Sequence, residues 1–246
     1  MISVAILTKN NEETLQATLE SVKEFSEVIL LDTGSNDNTL QIAGSFPNVK
    51  IYSSPFVGFG MLRNLAAKYA SNNWIFALDS DEVLSEEVKK EIHALSMDPS
   101  VIYEFPFFNF YKGKKVKCCG WYPESHIRLY HKKTTSFKEY HVHEGIKVDA
   151  LKVVKLTHPI YHTPYRSIGD FLAKMQHYTS LFAEQHKGKK PSSFFTAFIH
   201  GAAAFFKSYL LKRGIFFGEI GFLIATYNAS TAFYKYLKLA EENSKL

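Results

Sequence analysis

Trp74-Ile75-Phe76-Ala77-Leu78-Asp79-Ser80-Asp81-Glu82 is five apolar residues followed at once by four polar ones, three of them acidic. A short apolar run reads as a strand buried on both faces, and the polar residues mark the end where the chain leaves the sheet. The same form occurs twice upstream. Residues 2–7 run into Thr8-Lys9-Asn10-Asn11, and residues 28–31 into Asp32-Thr33-Gly34-Ser35-Asn36-Asp37-Asn38. Residues 49–52 form a further strand signal. Helical signals lie between: Leu15, Leu19, Val22 and Phe25 at helical spacing, a short helix near residues 40–43, one over 61–69, and one over 86–95 that Asp79-Ser80-Asp81-Glu82 would cap.

This β-α-β-α-β-α-β order predicts a doubly wound, mainly parallel α/β sheet. Ligands of such sheets bind beyond the carboxyl ends of the strands, where the three polar clusters converge. After residue 100 the pattern changes. Residues 101–111, 127–130 and 153–156 read as strands without long helices between them, which predicts antiparallel additions at the sheet edge. From residue 168 onward the signal is helical and apolar. The expected division is a ligand-binding domain over 1–165 and a helical C-terminal region over 166–246, with Gly188-Lys189-Lys190-Pro191-Ser192-Ser193 as a loop between its helices.

Composition narrows the function classes. The 246 residues are 46% hydrophobic and 15% aromatic, enough for a real core. The two cysteines, Cys118 and Cys119, are adjacent and read as reduced thiols, which with the lack of a basic leader predicts a cytoplasmic protein. The net charge of +5 is uneven: residues 1–111 hold 7 basic and 15 acidic side chains, residues 112–186 hold 13 and 6, and residues 187–246 hold 9 and 3. No nucleic-acid-binding pattern accompanies the basic part, so anionic lipid or a phosphorylated substrate suits it better. The first turn, Thr8-Lys9-Asn10-Asn11-Glu12, has neither the glycine fingerprint of a dinucleotide site nor a phosphate loop.

Two readings account for Asp79-Ser80-Asp81. Carboxylates one residue apart at a strand end can share a divalent cation that keeps positions open for phosphates. Asp and Ser also serve as helix caps. Asp32 could accept hydrogen bonds from a ribose or base, or simply build its turn. Arg63, in Gly58-Phe59-Gly60-Met61-Leu62-Arg63-Asn64, could meet a diphosphate or pair with an aspartate, or be a solvated helix residue.

Taken in order, Ser3-Val4-Ala5-Ile6-Leu7-Thr8-Lys9-Asn10-Asn11-Glu12, Leu31-Asp32-Thr33-Gly34-Ser35, Arg63-Asn64 and Leu78-Asp79-Ser80-Asp81-Glu82 resemble family-2 glycosyltransferases of the GT-A fold. Gly120-Trp121-Tyr122-Pro123-Glu124, Arg128-Leu129-Tyr130, His143-Glu144 and Pro159-Ile160-Tyr161-His162 resemble a subgroup containing bacterial lipopolysaccharide and lipooligosaccharide inner-core glucosyltransferases. The resemblance implies an inverting hexosyltransferase using a UDP-sugar and Mg²⁺ or Mn²⁺, with a heptose of a lipid-anchored core oligosaccharide as acceptor. It implies that Thr8, Asn10, Glu12, Asp32 and Arg63 line the nucleotide pocket. Asp79 and Asp81 would form the Asp-x-Asp motif, with Asp81 the better metal ligand and His162 completing the metal or phosphate site. Glu144 would be the base, with Glu124 its rival; the chain has His143-Glu144 where the family more often has Glu-Asp. A nucleotidyltransferase would also use an aspartate pair on such a sheet, and an inactive GT-A scaffold at the membrane would keep the fold alone.

In the C-terminal region, residues 194–206 and 215–226 are two apolar stretches shorter than the about 20 residues of a membrane span. With Lys207, Lys212 and Arg213 between them, they suit either peripheral attachment to a membrane or burial in a helical core or a homo-oligomer interface.

Overall fold

The structure, a computed structural model, describes residues 1–138 and 145–244. The chain divides into two compact units: residues 1–108 with 124–162, and residues 109–123 with 163–246.

The first unit is built on β1 (Ile2–Thr8), β2 (Glu27–Asp32), β3 (Val49–Ser53) and β4 (Trp74–Asp79). They run parallel in the order β3-β2-β1-β4. Successive side chains of a strand point to opposite faces, and here both faces are covered. Val4 and Ile6, Val28 and Leu30, and Trp74, Phe76 and Leu78 enter one core. Ala5, Ile29 and Leu31, and Ile75 and Ala77 enter the other. On the first face pack α1 (Leu15–Ser21), α2 (Thr39–Gly44) and α4 (Glu86–His93), through Leu15, Leu19, Ala43, Val88 and Ile92. On the second lies α3 (Phe59–Tyr69), through Leu62, Ala66 and Ala67. At the amino ends of the strands, the Glu27 carboxylate accepts from Ser3 Oγ, Lys50 Nζ and Ser71 N and Oγ, tying three strands and a loop to one charge.

Beyond β4 the sheet continues with β8 (Glu124–His131), antiparallel to β4, and β6 (Val101–Tyr111), antiparallel to β8. Then come β10 (Ile160–His162) and the two-residue β5 (Glu82–Val83), which pair antiparallel. Two expectations need correction here. The strand near residue 153, β9 (Lys152–Lys155), lies parallel to β6, because the chain crosses back over before pairing. And Asp79-Ser80-Asp81-Glu82 does not cap α4: Glu82 is in β5, and the cap is Ser85, whose Oγ accepts from Val88 N.

The second unit holds β7 (Lys114–Lys115), paired with the end of β6, and three helices: α5 (Ile168–His186), α6 (Phe194–Phe206) and α7 (Gly218–Ser244). A capping box starts α5, with Ser167 accepting from Asp170 N and Asp170 accepting from Ser167 N. Tyr111, Val116, Cys118, Cys119, Phe171, Ile224 and Ala225 form the core, and both thiols are buried and free. The apolar stretch over 194–206 coincides with α6, and a π-helical turn over Lys207–Leu211 follows it. The stretch over 215–226 is split between two elements. Gly218, at φ 54°, separates a 3₁₀ turn from α7.

Candidate active site

The parallel register places the polar clusters side by side. Thr8 pairs with Asp32, and Leu7 with Asp79, so all three strands end at one edge of the first unit. Hydrogen bonds knit the loops there. Asn11 N donates to Thr39 Oγ1 (2.8 Å) and Asn11 Nδ2 to Ser80 Oγ (2.7 Å). The Ser80 carbonyl accepts from Thr14 and Thr18 hydroxyls at 2.9 and 3.0 Å.

The nucleotide-pocket candidates fall into this frame. Asp32 is buried, and its carboxylate accepts from Gly34 N, Ser35 N and Ser35 Oγ at 2.5–3.2 Å. Gly34 has φ 100°, which allows the sharp return. Asn10 N donates to Ser35 Oγ (2.9 Å), while Asn10 Oδ1 accepts from Asn36 N (2.9 Å). Glu12 Oε2 accepts from Asn38 N and Nδ2 at 3.0 and 2.8 Å. Asn10 and Glu12 therefore brace the first loop against the second. The Thr8 hydroxyl is buried with no hydrogen-bond partner among the described residues, a donor and acceptor left over at the ligand edge.

Asp79 is the hub of the deeper part. Its Oδ1 accepts from Arg63 Nη2 at 2.7 Å and its Oδ2 from Arg128 Nη2 at 2.9 Å. Arg128 also donates to the fully buried Glu82, whose other oxygen accepts from Asp79 N at 2.9 Å. Phe137 lies under the Arg63 guanidinium and Phe107 under that of Arg128, each 5.2 Å from the ring centre. Burial raises the Asp79 carboxyl, but the two guanidiniums outweigh it and hold the group well below the usual carboxylate range. Burial pushes Glu82 up to about 7 against the pull of Arg128, and the Asp79 charge adds to the rise. On the neighbouring loop, Asp81 Oδ2 lies 3.6 Å from His162 Nε2. Burial alone would lower the His162 imidazole; Asp81, Glu82 and Asp79 raise it.

Arg63, Asp79, Glu82, Arg128, Phe137 and His162 line a cavity of about 420 Å³, with Glu104, Ser125, His126, Ile127, Gly145 and Ile146 along its remaining walls; Asp81, Thr8, Asn10, Glu12 and Asp32 lie outside this lining. Arg128 and Glu82 were not singled out from the sequence as site residues. Arg128 sits among strand residues whose direction depends on β4 and β6, and Glu82 reads as a cap until β5 is seen. Glu124 is on β8 and pairs with His126 Nε2 at 2.8 Å. Glu144 lies outside the described residues, but its chain neighbour Gly145 is a wall of the cavity.

The fit to a divalent cation can be tested on the donor set. Among the described residues no three His, Cys, Asp or Glu side chains are grouped as a metal cage. Both Asp79 oxygens are engaged by arginines, which leaves Asp81 and His162. One or two protein ligands completed by substrate phosphates is the usual coordination of Mg²⁺, so the residues fit a cation that arrives with a diphosphate.

Residues 3–151 match the sequence profile of glycosyl transferase family 2. The chain belongs to that family. A glycosyltransferase of Rickettsia typhi without an established role is 30% identical over 99% of the chain and 88% of its own length. The lipopolysaccharide core biosynthesis glycosyltransferase LpsC of Rhizobium meliloti is 24% identical over 99% of this family-2 chain and 93% of LpsC. Among solved structures, Staphylococcus aureus TarS 1–349 in complex with UDP aligns with a TM-score of 0.52 at 18% identity, over 99% of this chain and 91% of that TarS 1–349 chain. The mannosyltransferase PcManGT of Pyrobaculum calidifontis, in complex with GDP-Man and Mn²⁺, gives 0.50 at 14%, over 99% and 86%. At such identities the likeness speaks for the GT-A fold alone.

Proposed function

We propose that this family-2 glycosyltransferase is an inverting enzyme that moves glucose from UDP-glucose to a heptose of a lipid-anchored lipopolysaccharide core oligosaccharide on the cytoplasmic side of a membrane. The observation that carries the reading is the meeting of Arg63, Arg128, Asp79 and His162 around one cavity at the carboxyl end of β4. LpsC, similar over nearly its whole length, supports the acceptor class, and the UDP and GDP-Man complexes of the fold neighbours support a nucleotide-sugar donor.

In this reading the uracil and ribose lie against Thr8, Asn10, Glu12 and Asp32. The buried Thr8 hydroxyl gains the partner it lacks, and the braced loop needs no reordering. Arg63 and Arg128 face the diphosphate from Asp79, which holds both forks in place. Asp81 and His162 are the protein ligands for Mg²⁺ or Mn²⁺, which when bound neutralises charge gathering on the leaving diphosphate. Asp79 joins them only if it releases an arginine. Glu144 takes the proton of the acceptor hydroxyl as that oxygen bonds to the anomeric carbon and the carbon–diphosphate bond breaks. Glu124, tied to His126, is the less suited base.

The test is transfer by the purified full chain from UDP-glucose to a heptose-containing core acceptor, with Mn²⁺. Acceptor-dependent UDP release and a β-linked product support the reading. UDP release with another donor only, or transfer only to an acceptor without heptose, sinks the substrate assignment and leaves the fold reading intact.

A further inference from the structure

The second unit exposes apolar side chains in an ordered arrangement. On α6, Phe195, Phe198, Ile199 and Phe206 fall at spacings of 3, 4 and 11 residues, so they share one helix face. All four are exposed, Phe195 by 70%. The opposite face is the one used for packing. Ala197 and Gly201 are buried there, and a Cβ on Gly201 would lie 3.1 Å from Phe233 of α7. Beyond α6 the chain adds Leu211 and Phe216, exposed by 81% and 80%. Of the stretch Phe194–Leu211 only 17% is buried. A free surface of this kind in water marks an interaction site.

Charge says what covers it. The second unit carries 15 Lys and Arg against 5 Asp and Glu, while the first carries 14 against 19. Between residues 185 and 240 there are eight cations and one carboxylate, Glu219. Several cations serve the helical packing: Lys187 pairs with Glu242, Lys190 bonds Tyr236, and Lys238 bonds Gln176 and Thr179. Lys207, Lys212 and Arg213 have exposed side chains and no carboxylate within ion-pair distance among the described residues. An apolar stripe beside three such cations complements a surface that is apolar inside and anionic outside. A second copy of the chain would set like charge against like charge. Spanning is disfavoured too: Phe194–Leu211 is 18 residues, contains Lys207, and has one face occupied by α7.

We propose that the exposed face of α6 and the turns after it is a membrane-interface surface, with Phe195, Phe198, Phe206, Leu211 and Phe216 in the headgroup–acyl boundary of an anionic bilayer and Lys207, Lys212 and Arg213 among its phosphates. Apolar area and charge both contribute to such binding. The occupant is the bilayer itself, irrespective of the acceptor.

The test is flotation of the full chain with vesicles of phosphatidylcholine alone or with 30% phosphatidylglycerol, at roughly 50 and 500 mM salt. The chain floats with the anionic vesicles at low salt, and binding falls about ten-fold or more without phosphatidylglycerol or at high salt. Lys207→Glu/Arg213→Glu weakens the anionic binding roughly 30-fold or more, from about 5-fold per charge. Phe195→Ser/Phe198→Ser weakens it about ten-fold or more. All four residues are exposed, so the melting temperature stays at the wild-type value. Failure of the wild-type chain to float, equal binding to both vesicle types, or variants that bind as wild type overturns the proposal. A concentration-dependent dimer in sedimentation that Phe195→Ser/Phe198→Ser dissociates assigns the face to a second copy instead.

Discussion

Glu27 and Arg128 show how much single buried charges contribute. Burial works against the Glu27 carboxylate, but hydrogen bonds from Lys50, Ser3 and Ser71 outweigh it and lower the group from 4.5 to about 2. A carboxyl depressed on folding stabilises the native state above its unfolded value, and that stability is lost as pH falls from about 4.5 towards 2. Glu27→Gln is expected to cost about 2–3 kcal/mol at pH 7 and to flatten the stability profile over that window, read by urea titration at several pH values. Arg128→Met removes the cation between two acidic groups and leaves Glu82 buried beside Asp79. A loss of about 3–5 kcal/mol is expected, because one half of a buried pair remains uncompensated. At the chemistry itself, Glu144→Gln is nearly isosteric, so donor binding survives while transfer falls by roughly 10²–10⁴-fold. Near-normal transfer there, with a dead Glu124→Gln, exchanges the two roles. The sequence singled out Thr8, Asp32, Asp79 and Asp81 as candidates because each stands at or just past the end of an apolar run. It did not single out Arg128 or Glu82. Arg128 lies between Ile127 and Leu129, and only the pairing of β8 with β4 and β6 turns it onto Asp79.

At the scale of elements, continuous apolar runs made β1, β2 and β4 readable, since both faces of each enter a core. The short or late elements were less so. A two-residue strand such as β5 has no periodicity to detect, and the direction of β9 depends on a crossover rather than on its own residues. The break at Gly218 likewise has a backbone cause that an apolar run hides. Close packing in the second unit is open to test through Gly221. A Cβ there would stand 1.9 Å from the Gly214 carbonyl oxygen and 2.7 Å from its carbon, both backbone atoms that cannot swing aside. Gly221→Ala should destabilise the unit by about 1–3 kcal/mol through overpacking, despite alanine's better helix propensity. A melting temperature equal to or above wild type would show that the two segments separate without cost.

For the whole molecule, the charge asymmetry seen along the sequence becomes a division between structural units, acidic in the first and basic in the second. In the proposed function the acidic unit holds the nucleotide-sugar site, while the basic unit carries the exposed apolar face. The segment holding Asn109 to Pro123 sits far from the C-terminal helices in sequence yet belongs to their unit. No linker composition marks that excursion, which is why sequence alone placed it with the first. The proposed function requires the cavity at Asp79 and His162, with Asp81 beside His162, to hold a nucleotide diphosphate together with a divalent cation. Calorimetric titration of the full chain with UDP, in Mn²⁺ and again in EDTA, decides this, with Asp81→Asn run alongside. UDP binding should weaken at least ten-fold in EDTA and in Asp81→Asn, with the variant's melting temperature unchanged. UDP binding of equal strength with and without metal, or in Asp81→Asn, would overturn the metal-assisted site.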